Sequence, residues 1–247
     1  YVCPGSADHR GVYPILVDPA VALGTANCMT VPPCHAVADE TAAATADPEV
    51  AYRFARGEPI DYLGETVRRR EPLDFLAVTD HAENLGVFDH LIDPNSYVSK
   101  SAMGKALRDA MDAPGDSRTR LQGLWPLFRT HAFLPLPVDL QAVSVSAWQR
   151  EVDFANRFYE PGKFTTFIAY EWGSAPNGAN LHRNVIFKSN TAPFPFSSAH
   201  SYDPEDLWAC LDKVKAQGYE ALAIPHNSNA SLGLMFDWVK LDGRPID

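Results

Sequence analysis

The chain has 247 residues, 46% of them hydrophobic, enough to bury a core as one domain or a large part of one. A net charge of −10, with Arg68-Arg69-Arg70 the one basic cluster, argues against a nucleic-acid-binding face. No apolar run approaches the ~20 residues that cross a bilayer, so no transmembrane segment is expected. Cys3, Cys28, Cys34 and Cys210 fit no Cys-x-x-Cys metal knuckle. Cys28 and Cys34, in a Pro-rich loop, either close a local disulfide or remain thiols.

Residues 1–46 read as irregular, broken by Pro4, Pro14, Pro19, Pro32 and Pro33, with a short strand expected at Val12 to Val17. Asp47-Pro48-Glu49 then opens a helix, Asp47 as N-cap and Pro48 in the first turn, and Gly57 stops it. A second helix or turn is expected over Tyr62 to Arg70, with Arg68 to Arg70 as its solvated C-terminal end. Leu73, Phe75, Leu76, Ala77 and Val78 form a run too short for a helix and read as a buried parallel strand. Residues 84–160 carry no strand signal of similar strength. Lys105 to Met111 and Val145 to Tyr159 read as helices, the latter with an apolar stripe of Val145, Trp148, Val152, Ala155 and Tyr159. Phe154 and Phe158 widen that stripe, and Trp148 reads as packing. The region, with its Pro-containing loop Phe133 to Val138, is a candidate lid or pocket wall, or else variable surface.

Phe164 to Tyr170 and Tyr219 to Pro225 read as further buried strands, and a loop over Asn177 to Asn184 leads into a short strand at Val185 to Phe187. A helix capped by Ser201 or Asp203 runs to about Gln217 and stops at Gly218. The three longer strands share one feature. The first ends in Thr79-Asp80-His81-Ala82-Glu83, the second in Glu171-Trp172-Gly173, the third in His226-Asn227-Ser228-Asn229. Thr79 or Asp80 alone would suit a helix N-cap. Three strands that each deliver His, Asp or Glu at the same relative position suggest one rim of an α/β barrel with ligands for zinc, manganese or iron.

Phe75-Leu-Ala-Val-Thr-Asp-His81 resembles the second metal motif of the PHP (polymerase and histidinol phosphatase) superfamily. Closest is an often exported bacterial branch, also similar at Ala51 to Glu58, Ala169 to Trp172, His182 to Phe187, Leu207-Trp208, Ile224 to Asn227 and Gly233 to Phe236. The resemblance covers roughly residues 47 to 247. It implies a distorted, seven-stranded (β/α)7 barrel, two or three divalent ions held by His81, Glu171, His182 and His226, and export to the periplasm or outside. His182 is expected in a loop folded back over the rim. Asp80 either ligates or orients an imidazole. Arg183 either pairs with a phosphate or carboxylate or is a solvated loop cation, and Asn227 and Asn229 either donate to a substrate oxygen or are turn residues. Glu83 and Tyr170 stand behind these as supporting residues.

The implied chemistry is hydrolysis of a small anionic ester, most often a phosphoester, by metal-bound hydroxide. A carboxylic-ester or amide hydrolase with the same centre is one alternative. A non-catalytic binding or scaffold protein on a degenerate PHP fold, a different class that the missing motifs favour, is the other. Two family motifs are not found: an opening His-x-His, whose register falls near Asp8-His9-Arg10 with His35 as another isolated candidate, and a closing Asp-x-His. The expected barrel is therefore incomplete on its C-terminal side, with sheet edges that another chain could cover.

Overall fold

The computed structural model describes residues 48–114 and 138–246, apart from 63–64, 84, 88–89, 91–92, 94 and 227. The expected strand at 12–17, the Cys28/Cys34 alternative, His9, His35, the Asp47 N-cap, Asn227 and the loop at 133–137 lie outside them.

Helix α1, Pro48–Ala55, begins on proline, whose fixed φ and missing N–H suit a first turn. It buries Ala51, Tyr52 and Ala55 and is released at Gly57, whose φ of 77° is left-handed. Of the helix or turn expected after it, the helix is not formed: the stretch is an antiparallel strand pair. β1 (Ile60–Tyr62) and β2 (Glu65–Val67) pair antiparallel, so Arg68 to Arg70 trail a strand rather than cap a helix. Alternating Ile60, Tyr62 and β-branched Thr66 and Val67 suit extended backbone better than a helical face.

The expected strand after Pro72 is present as β3, Phe75–Ala77. Helices α2 (Tyr97–Lys100), α3 (Ala102–Met111) and α4 (Val138–Phe158) come next. Ser96 and Ser101 cap the first two, each hydroxyl accepting a backbone N–H of the first turn. Among the described residues of α4 the buried ones are Val143, Ser144, Ala147, Trp148, Glu151, Val152, Phe154, Ala155 and Phe158, largely at steps of three and four. Val145 and Tyr159, expected in the stripe, are exposed. The buried face is turned toward Phe154 and Phe158 because aromatic partners meet it there: Tyr52 stacks on Phe158 at 5.4 Å, and Trp148 meets Tyr170 edge-on at 6.0 Å.

A tight turn at Glu160 to Phe164 reverses the chain into β4 (Thr165–Phe167) and β5 (Ala169–Trp172). β6 (Arg183–Phe187), α5 (Pro204–Ala216) and β7 (Ala221–Pro225) complete the regular elements. β3 and β4 pair in parallel, Phe75 opposite Thr165 and Ala77 opposite Phe167. A parallel bridge between His81 and Glu171 continues the same register. β5, β6 and β7 form an antiparallel sheet in that order. The architecture is mixed α/β with three small sheets, and no sheet closes into a barrel among the described residues.

Strand sense fixes the site. β5 and β7 both run against β6, so the ends of β5 and β7 lie beside the start of β6. The parallel ladder brings the stretch after β3 to the same place. Side chains alternate between faces along a strand. Tyr170, Trp172, Val185 and Phe187 are buried in the main core, where the Tyr170 ring meets those of Phe187 and Trp148. Glu171 and Asn184, directly opposite each other in register, therefore occupy the other face.

Candidate metal centre

Three of the four expected ligands converge without further rearrangement. His81 (3% exposed), Glu171 (0%) and His182 (5%) are buried, and one ligand atom from each lies within 4.8 Å of the others. Glu171 Oε1 is the focus: His182 Nδ1 is at 2.7 Å, His81 Nε2 at 3.5 Å and His226 Nε2 at 3.7 Å. His226 joins as the most exposed member, its side chain 22% accessible. His182 does not arrive in a loop folded over the rim. It immediately precedes β6, which begins two residues earlier than the sequence suggested, and the His226 N–H donates to the His182 carbonyl at 3.0 Å.

The far nitrogens of two imidazoles are held. His81 Nδ1 lies 3.0 Å from Glu83 Oε2, and His226 Nδ1 lies 3.4 Å from the Asn184 amide. Glu83 also accepts from Gly173 N–H, at 3.2 and 3.1 Å, and from Ser198 N–H and Oγ at 2.6 and 2.9 Å. Burial pushes the Glu83 carboxyl up, but His81 and Ser198 outweigh it and hold its pKa below the usual value. An ionised Glu83 needs a donor on His81 Nδ1. Nε2 then faces Glu171 Oε1, as a donor while the ring is charged and as a lone pair once it is neutral. Burial likewise raises Glu171, and the charges and hydrogen bond of His81, His182 and His226 bring it down to about 2. Burial depresses the His226 imidazolium, which Glu171 only partly offsets.

This donor set fits a divalent cation. Nitrogen lone pairs and a carboxylate oxygen confront one another, and only a proton or a cation between them relieves that. The 3.5 and 3.7 Å separations are close to the ~3.3 Å expected between ligands each about 2.0–2.1 Å from one tetrahedral ion. Glu171 Oε2 is buried and has no hydrogen-bond partner among the described residues. A carboxylate on the outer imidazole nitrogen, as Glu83 stands to His81, is the usual support of a metal-ligating histidine. Asn184 gives His226 the same support once its amide is turned so that Oδ1, otherwise without a partner among the described residues, accepts from Nδ1.

Space for the cluster comes from Gly173. A Cβ there would stand 2.5 Å from His81 Nδ1 and 2.6 Å from Glu83 Oε2. Glycine at a strand end signals close approach of another group, and here that group is the imidazole–carboxylate pair.

Other expected residues lie elsewhere. Asp80 contributes its carbonyl to the Glu171 N–H at 2.9 Å. Arg183 is neither a solvated loop cation nor in the cluster. It is 5% exposed and turns to the opposite face of β6, where Nη1 donates to the Leu181 and His182 carbonyls at 2.6 and 3.1 Å. There it lines a cavity of about 690 Å³ with Trp208, Glu205 and Met235. Tyr170 belongs to the core, Asn229 is exposed in a short turn, and His200 is exposed. His90 is half-buried, 3.4 Å from Ser96 Oγ. Cys210 is a free thiol.

Sequence reasoning missed Ser198 and Asn184. Ser198 stands in a connection without any strand or motif signal. Asn184 was legible in principle, since a strand begun at Arg183 puts residues 182 and 184 on one face.

A family described as "Protein of unknown function (DUF3604)" matches residues 35–247. The chain belongs to this family. Comparison with curated proteins and with solved structures gives no match. Every residue of the buried cluster in this DUF3604 chain, together with Glu83, Gly173, Asn184 and Ser198, falls within the matched span.

Proposed function

We propose that this DUF3604 chain is a metal-dependent hydrolase of PHP type, acting on small anionic esters, most often phosphoesters. The observation that carries the reading is the convergence of three imidazoles on one buried carboxylate oxygen, with two of the imidazoles held from behind. His81, Glu171, His182 and His226 would hold the divalent ions. When bound, such ions supply Lewis acidity toward the ester and lower the pKa of water.

The chain's own residues orient and shield. Glu83 and Asn184 set the rings of His81 and His226. Glu171, fully buried and ionised, keeps negative charge at the centre. Three ligands are sealed, so the partly exposed His226 marks the side from which a substrate approaches. Arg183 faces the other way, so an anionic substrate would be held by the ions' own charge, which also reconciles an acidic chain with an anionic ligand. The common strand sense of β3, β5 and β7 supports a barrel rim, and the PHP-type (β/α)7 closure is part of the proposal. Export to the periplasm or outside rests on the family resemblance alone.

The test is a screen of chromogenic phosphate and acyl esters with zinc- or manganese-loaded protein, beside Glu171→Gln. Phosphate release lost in the variant supports the proposal. Acyl-ester cleavage alone would move the assignment to a carboxylic-ester hydrolase with the same centre. No turnover of either class, with metal bound, would refute hydrolysis of these esters.

A further inference from the structure

Glu83, a buried carboxylate beside the cluster, has its acceptor capacity already filled. An ionised carboxylate offers about four lone-pair positions. Here four donors take them: His81 Nδ1, Gly173 N–H, Ser198 N–H and Ser198 Oγ. Nothing remains with which to ligate. The donors come from three separate parts of the chain: the stretch after β3, the end of β5, and the connection between β6 and α5. That connection closes on itself near Ser198. Ser197 N–H donates to His200 Nδ1 at 3.1 Å, and the Phe196 and His200 rings stack at 5.2 Å. It is tied to the rest of the chain by Ser174 Oγ, which donates to the Tyr202 carbonyl at 2.6 Å, and by Ser198 on Glu83.

We infer that Glu83 and Ser198 are positioning residues that couple metal occupancy of the cluster to docking of the 195–201 segment. This rests on the metal reading above. Glu83 holds His81 Nδ1 as a donor, so that Nε2 faces Glu171. A cation drawing on Nε2 makes the Nδ1–H a stronger donor, tightens its bond to Glu83, and so favours the state in which Ser198 also holds that carboxylate. Linkage is reciprocal: if docking of Ser198 favours metal, metal favours docking of Ser198 by the same factor. The segment therefore reports on the site without touching a ligand, and with Ser198 buried at 2% exposure the report is carried by its amide proton.

The experiment uses the full chain, stripped with chelator, and zinc as the probe. Calorimetric titration gives the zinc Kd for wild type, Glu83→Gln, Ser198→Ala and Ser198→Thr. Hydrogen exchange follows the 195–201 amides with and without zinc. Glu83→Gln is expected to weaken zinc about 10- to 100-fold, the usual cost of losing such a partner. Ser198→Ala should weaken it less, about three- to tenfold, and Ser198→Thr, which keeps the hydroxyl, should restore most of the loss. In wild type, zinc should slow exchange at the Ser198 amide. A merely structural role would lower thermal stability without that zinc-dependent protection. Equal zinc affinity in all four proteins, or wild-type exchange at Ser198 unchanged by zinc, overturns the coupling and leaves the metal reading standing. Wild type that binds no zinc overturns both. Should Glu83→Gln fail to fold, the wild-type exchange experiment and the Ser198 pair decide the matter alone.

Discussion

Replacing Gly173 by alanine asks whether the site depends on one missing methyl group. The new Cβ would stand 2.5 Å from His81 Nδ1, 2.6 Å from Glu83 Oε2 and 2.7 Å from His81 Cε1. An ordinary contact begins near 3.4 Å, so the ring or the strand end must give by about 0.9 Å. Neither neighbour is a floppy side-chain tip. His81 and Glu83 are 3% and 4% exposed, and four donors grip the carboxylate. Overpacking of this kind costs about 1–3 kcal/mol. A displacement near 1 Å in a preorganised site costs on the order of 100-fold in function. We expect the chelated variant to melt several degrees lower and to bind zinc at least about tenfold more weakly in calorimetry. Gly162→Ala is the control. There a Cβ meets nothing within 4 Å, but φ is 79°, so stability should fall with zinc affinity intact. Wild-type zinc affinity in Gly173→Ala would refute the reasoning, because it would mean that the His81–Glu83 geometry does not matter to the site.

Acid should destabilise the metal-free protein through Glu171. Its folded pKa of about 2 lies below the ordinary 4.5, so its stabilising contribution is present above pH 4.5 and drains away as pH falls toward 2. His226, depressed by burial, acts in the same direction below its ordinary pKa of 6.5. Melting temperature followed against pH in chelator should drop through that acid window in wild type and drop less in Glu171→Gln; identical slopes would contradict the assignment. Arg183→Met should cost about 1–3 kcal/mol in denaturant titration, because two backbone carbonyls lose a buried charged donor, while zinc affinity stays within about threefold. A loss of zinc binding as large as that of a ligand variant would return Arg183 to the site. Trp148→Ala should destabilise by about 3–5 kcal/mol through loss of its contact with Tyr170, read by the same titration.

Much of the site was legible because strand ends advertise it. An apolar run that stops abruptly at His81 or Glu171 places a costly polar group beside a core, and a parallel bridge in line with the β3–β4 ladder joins the two directly. β7, expected as a third buried strand, is instead half-exposed, with Leu222 60% accessible, yet its end still brings His226 to Glu171. Other features turned on contacts that sequence spacing does not encode. β6 begins at Arg183 rather than Val185 because its register with β5 and β7 extends to Trp172 and Pro225, and that shift moves Arg183 to the far face. The hairpin after α1 contains too few residues for periodicity to separate strand from helix. The α4 stripe turned toward Phe158 because Tyr52, on a helix far earlier in the chain, presents a ring to stack on. Ser198 carried no signal, since a serine in a turn resembles any other.

Divalent metal at Glu171 is the central claim. Elemental analysis of protein purified without chelator should find at least one zinc, manganese or iron per chain in wild type, reduced in His81→Ala and His226→Ala and lost in Glu171→Gln. A folded wild type without metal, or a Glu171→Gln variant that retains the full complement, would contradict it.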